Sequence, residues 1–165
     1  KMDDLKNNNE HVKETYLERA NNILSYCIFV FIISIISYFI GLLYNNFDFS
    51  LIFEAISFIL IFMTKSRIKN GDIQMAKLCI IIAILPIIFL LGFDLINLLL
   101  NFGEVSSEVF HYFTSFDQVF YAIEPYIVDI TLIINIVLMF KAFTSLKHAE
   151  GSIEKTYTDN FYDSL

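Results

Sequence analysis

The chain is 165 residues long, enough for one compact unit and too short for two ordinary domains. Apolar residues make up 56% of it and charged residues only 18%, against roughly 25% in soluble domains, which argues against a water-soluble globular enzyme. The formal net charge of −7 comes with no basic cluster free of neighbouring acids, which excludes a polybasic lipid-binding patch and a nucleic-acid surface.

Residues 1–22 read as a cytoplasmic or interfacial lead-in helix, with Val12, Tyr16 and Ala20 at four-residue spacing, running on into the first span. Acids and bases are mixed here and the apolar run that follows is too long for a leader's core, so no cleavable signal peptide is expected. The first span covers residues 23–44, about 33 Å of helix, enough to cross a hydrocarbon core. Within it Ser34, Ser37 and Gly41 recur at i, i+3 and i+7, a small-residue stripe that lets helix backbones approach in lipid. The second span, residues 47–64, is short for a crossing, with Asp48 or Ser50 placed to cap it. Residues 65–77 form a loop around the turn signal Asn70-Gly71-Asp72. The third span, residues 78–100, carries Pro86, which frees the Ile82 carbonyl and predicts a kink.

The longest connection is 101–116. Phe110, Phe113 and Phe116 recur there at near-helical spacing and predict a short helix lying on the outer interface. Ser115 and Gln118 resemble a capping box opening the fourth span, residues 117–140, in which Pro125 predicts a second kink. Residues 141–165 form a polar cytoplasmic tail, expected to extend the helix to Gly151 and to be loose beyond it. Cys27 and Cys79 fall inside spans, without the spacing of a thiol redox or metal motif. No internal repeat is detectable.

All eleven Lys and Arg fall in three places. Lys1, Lys6, Lys13 and Arg19 precede the first span; Lys65, Arg67, Lys69 and Lys77 separate the second from the third; Lys141, Lys147 and Lys155 follow the fourth. Short cytoplasmic loops collect Lys and Arg. The expected fold is therefore all-α: an integral-membrane, antiparallel four-helix transmembrane bundle, N-in and C-in, in the plasma membrane.

Four acids fall within the spans: Glu54, Asp94, Glu124 and Asp129. An ionisable group at membrane depth is costly and is a functional-site hypothesis by default. Counted from the span ends, Glu54, Asp94 and Glu124 lie about 10 Å inside the outer boundary and Asp129 about 18 Å. Asp94 shares a stripe with Asn97 and Asn101, Glu54 with Ser57, and Asn135 lies further in. Three readings stand side by side. Glu54, Asp94, Asn97, Glu124 and Asp129 line an outward-open pocket that binds a cation or basic ligand or relays protons. Alternatively, protonated acids bond helix to helix, or the acids pair with basic residues of a partner subunit.

Oxygen donors alone suit hard cations or Mn²⁺ better than zinc, and a bound cation is the single cofactor the residues suggest. His111 in the outer connection and His11 and His148 on the inner side read as solvated. Neither a nucleophile–base pair nor an HExxH pair is present, so no enzyme is expected. The leading expectation is a small, oligomeric membrane protein of ion binding or transport, binding or translocating a cation or proton. The alternative is a non-catalytic accessory, immunity-type or assembly subunit of a larger membrane complex. Its partners are expected to be the lipid bilayer and either further copies of itself or other membrane subunits, with no nucleic acid.

Overall fold

In hydrocarbon every backbone N–H and C=O must be satisfied within the chain, and an unbroken helix does this residue by residue. The chain meets that demand with α1 (Met2–Leu43), α2 (Ser50–Lys69), α3 (Ile73–Leu100) and α4 (Phe116–Tyr162). The computed structural model describes residues 2–43, 50–100 and 116–162, and among these the side chains of 10–40, 50–97, 99–100 and 126–152. The expected aromatic interface helix, with Phe110 and Phe113, lies outside the described residues, as do the side chains of Gly41, Phe116, Glu124 and Pro125.

Three helices are long and apolar enough to cross a membrane, through Glu10–Ile40, Ile73–Asn97 and Tyr126–Ser152. The chain is a small helical membrane protein. Its outer faces carry exposed Phe29, Ile36 and Phe39 on α1, Leu85 and Phe89 on α3, and Ile130 and Phe140 on α4. The fourth expected span differs. Glu54, Lys65 and Arg67 share the twenty residues of α2, which leaves no uninterrupted apolar stretch of crossing length.

The helices outrun the apolar runs that marked them. α1 continues without a break through the lead-in, α2 runs inward to Lys69 rather than stopping at Thr64, and α3 starts at Ile73 rather than Leu78. The expected loop shrinks to Asn70, Gly71 and Asp72. Gly71 sits at φ 77°, the left-handed region that costs an L side chain strain. Its N–H donates to the Ile68 carbonyl at 3.0 Å and the Asp72 N–H to the Arg67 carbonyl at 3.0 Å, closing α2 as a Schellman turn. Asp72 then opens α3, its Oδ1 accepting from the Met75 N–H at 3.2 Å. The tail also differs from expectation, because α4 runs through Gly151 to Tyr162. An interior glycine costs only about 1 kcal/mol relative to alanine, and Gly151 does not take the left-handed turn that ends α2. Pro86 likewise lies inside a continuous α3.

On each helix most buried positions fall in one series, with Ser37, Cys79, Ile84, Thr131 and Ser145 buried beside it. The buried series are Ala20, Leu24, Cys27, Phe31, Ser34 and Tyr38 on α1; Glu54, Ser57, Ile61, Thr64 and Ile68 on α2; Ile73, Ala76, Ile80, Ala83, Ile87 and Leu90 on α3; and Val128, Leu132, Asn135, Met139, Ala142, Leu146 and Ala149 on α4. Each advances by alternating steps of three and four. That spacing is the 3.5-residue repeat of knobs-into-holes packing. Among the described residues the main contacts run around a ring, heaviest between α1 and α4 and between α2 and α3, lighter between α1 and α2 and between α3 and α4.

Candidate functional site

Side-chain bonds between the helices set the level of each buried polar group. Between α1 and α2, Lys65 Nζ donates to Ser25 Oγ at 2.7 Å, Ser34 Oγ to Glu54 Oε1 at 2.9 Å, and Ser50 Oγ to Tyr38 Oη at 2.6 Å. Residue numbers rise along α1 as they fall along α2. Between α2 and α3, Ser57 Oγ donates to the Ala83 carbonyl at 2.9 Å and Phe53 packs on Phe89 with ring centroids 5.6 Å apart. The Ser57 bond falls one residue from Ile82, where Pro86 removes the normal partner, so α2 brings a donor to that weak stretch of α3. Between α3 and α4, Lys77 forms an ion pair with Glu150, and Asp94 lies within hydrogen-bond reach of Asp129.

The acids fall into two settings. Glu54 is fully buried and accepts from Ser34, so it joins α1 to α2. Asp94 and Asp129 are both half-buried and meet carboxyl to carboxyl across α3 and α4. Asn97, one turn outward from Asp94, is exposed. Asp94 and Asn97 continue the burial series of α3 in step, at the next intervals of four and three. They lie at the end of the bundle interior away from the Gly71 turn. Counting depth from span ends put Asp129 deeper than Asp94; the contacts place them together, because the outer ends of α3 and α4 are not level.

Ser34 and Ser37 are buried, Ser34 as the donor to Glu54 and Ser37 bonded to the Ile33 carbonyl at 3.1 Å. Asn135 is fully buried in the α4 series. Two contacts that sequence reasoning missed tie the opposite end. The Lys77–Glu150 pair joins α3 to α4, and Tyr16 of α1 stacks on His148 of α4 at 5.3 Å between ring centroids. Their signal was present only as register: all four residues adjoin or continue the three-four series. Among the described residues, no three His, Cys, Asp or Glu side chains gather as a metal-binding group.

These features define a class: a small helical membrane protein whose bundle interior holds carboxyl groups towards one end. No known protein family, curated protein or solved structure matches the chain.

Proposed function

We propose that the chain is an antiparallel four-helix membrane bundle, with both termini cytoplasmic, that binds a proton or a monovalent cation at the Asp94–Asp129 pair in the outer half of the membrane. The observation that carries this reading is the meeting of the two carboxyl groups across α3 and α4. Two carboxylates in hydrogen-bond reach repel strongly at full ionisation, and together they take up one positive charge. Their half-exposed position, with Asn97 exposed a turn outward, gives that charge a route from water. A calcium ion would ask for six to eight oxygens, more than one carboxyl pair and one amide provide.

The opposed numbering of the contacts between successive helices supports the antiparallel arrangement. The three-place distribution of Lys and Arg supports the orientation. α2 serves as the fourth crossing. Its twenty residues rise about 30 Å, and Glu54, Ser57 and Thr64 are among the residues it buries. Glu54 acts as a tie between helices rather than as a ligand.

Infrared difference spectroscopy of the protein in nanodiscs tests the site. The protonated carboxyl band is expected to lose intensity in Asp94→Asn and in Asp129→Asn, and added Na⁺ or K⁺ is expected to raise the thermal stability of the wild type but of neither variant. Neither effect appearing, at mildly acidic or mildly alkaline pH, would sink the cation reading and promote the accessory-subunit alternative. Orientation is tested in a cysteine-free chain. Single cysteines at Asn46 and Ser107 are expected to react with an impermeant thiol reagent in intact cells, and those at Ser66 and Ser152 only after permeabilisation.

A further inference from the structure

Among the described residues, the buried serine and threonine hydroxyls are all bonded. Ser34 donates to Glu54, Ser57 to the Ala83 carbonyl, and Thr64, Thr131 and Ser145 to carbonyls of their own helices. Asn135 is different. It is fully buried in the α4 series between Leu132 and Met139, and neither its Nδ2 nor its Oδ1 meets a hydrogen-bond partner. An amide without partners in apolar surroundings is costly, whereas a hydrophobe of the same size would pack there at no such cost.

The chemistry of the orphaned atoms selects the ligand. Oδ1 asks for a donor and Nδ2 for an acceptor, on the same planar group. A metal cation would serve Oδ1 and be repelled by the amide hydrogens; an anion would do the reverse. A water molecule both donates and accepts, and a buried water needs two to four polar partners. Thr131, one turn outward on the same helix, is buried and spends its proton on the Val128 carbonyl at 2.7 Å, so its oxygen keeps lone pairs for a further donor. Inward of Asn135, the α4 series continues with Met139, Ala142, Leu146 and Ala149, and the one buried hydroxyl among the described residues there, Ser145, spends its proton on the Lys141 carbonyl at 3.1 Å.

We propose that Asn135, with Thr131, holds buried water in the α4 seam. The site is distinct from the Asp94–Asp129 pair and does not depend on that pair binding a cation.

Hydroxyl radicals generated by X-rays from bound water oxidise side chains that bulk radicals do not reach. The full chain in nanodiscs is therefore irradiated and its methionines are read by mass spectrometry. Met139 is fully buried one turn inward of Asn135, and Met75 is exposed on α3 and serves as the control. Met139 is expected to be oxidised in the wild type and to lose that label in Asn135→Leu, with Met75 labelled alike in both. Asp129→Asn is expected to keep the Met139 label, which separates this site from the acid pair. An unlabelled Met139 in the wild type beside a labelled Met75 would overturn the proposal, as would equal Met139 labelling in Asn135→Leu. If leucine does not fit the seam, Asn135→Ala removes the same amide without adding bulk and is read in the same way.

Discussion

From Ile73 to Leu90 the three-four series of α3 carries Ile, Ala, Ile, Ala, Ile and Leu; the next two steps of the same repeat deliver Asp94 and Asn97. α2 changes in the same sense, from Ile68 at the turn end to Ser57 and Glu54 at the other. The turn end is closed by Gly71 and Asp72, by the Lys77–Glu150 pair and by the Tyr16–His148 stack. The opposite end is joined by hydroxyl and carboxyl groups, Ser34 with Glu54, Ser50 with Tyr38, and Asp94 with Asp129. One geometric repeat thus carries two contents. Where it is aliphatic it packs; where it is polar it presents chemistry, and packing at the first end leaves the second free to carry groups that stabilise little.

Four single substitutions and one double-mutant cycle test that division, starting with the one of largest effect. Leu146→Ala empties a fully buried seam position at the turn end and is expected to cost about 2–5 kcal/mol of stability in detergent. Leu85→Ala, on the exposed face of α3, is expected to stay within about 0.5 kcal/mol. Equal effects would mean that the seam does not carry the packing.

Gly71→Ala is expected to cost about 1–2 kcal/mol, entirely from backbone strain, because nothing lies within 4 Å of the added Cβ. Unchanged thermal unfolding would show that the turn does not hold α2 to α3. A double-mutant cycle on Lys77 and Glu150 is expected to give a coupling of about 0.2–1 kcal/mol that shrinks with added salt, since both side chains are partly exposed. A coupling indifferent to salt would place the pair in the packed core instead.

Glu54→Gln is expected to be nearly silent in thermal unfolding, because the amide oxygen still accepts from Ser34. A loss as large as that of Leu146→Ala would make the polar end as critical to packing as the aliphatic one and erase the contrast.

The helices were legible because membrane crossings announce themselves by length and hydropathy. Their ends were not, because Lys65–Lys69 and Ile73–Lys77 are polar or mixed and yet remain helical on the water side. The seams were harder to see. In a membrane span every face is apolar, so the contrast that marks a soluble amphipathic helix is absent. What remained was the spacing of small and polar residues such as Ser57, Thr64, Ala76 and Ala83. The acids were legible as unusual residues, and Asp94 with Asn97 as a stripe. Their partners were not, because the offset between α3 and α4 depends on how far each helix extends at its outer end, and a local sequence pattern does not encode that. The Lys77–Glu150 pair escaped for the same reason.

The three-residue turn between α2 and α3 has a consequence for how the protein is made. A carboxylate within a span adds to the cost of translocon-mediated insertion, and α2 carries Lys65 and Arg67 at its other end, so α2 alone is a poor candidate for release into lipid. α3, joined to it by only Asn70, Gly71 and Asp72, is long and strongly apolar. With α2 as the proposed fourth crossing, insertion is expected to be cooperative: α2 enters as one arm of a helical hairpin whose other arm supplies the driving force, and Glu54 meets Ser34 of a first helix made before it.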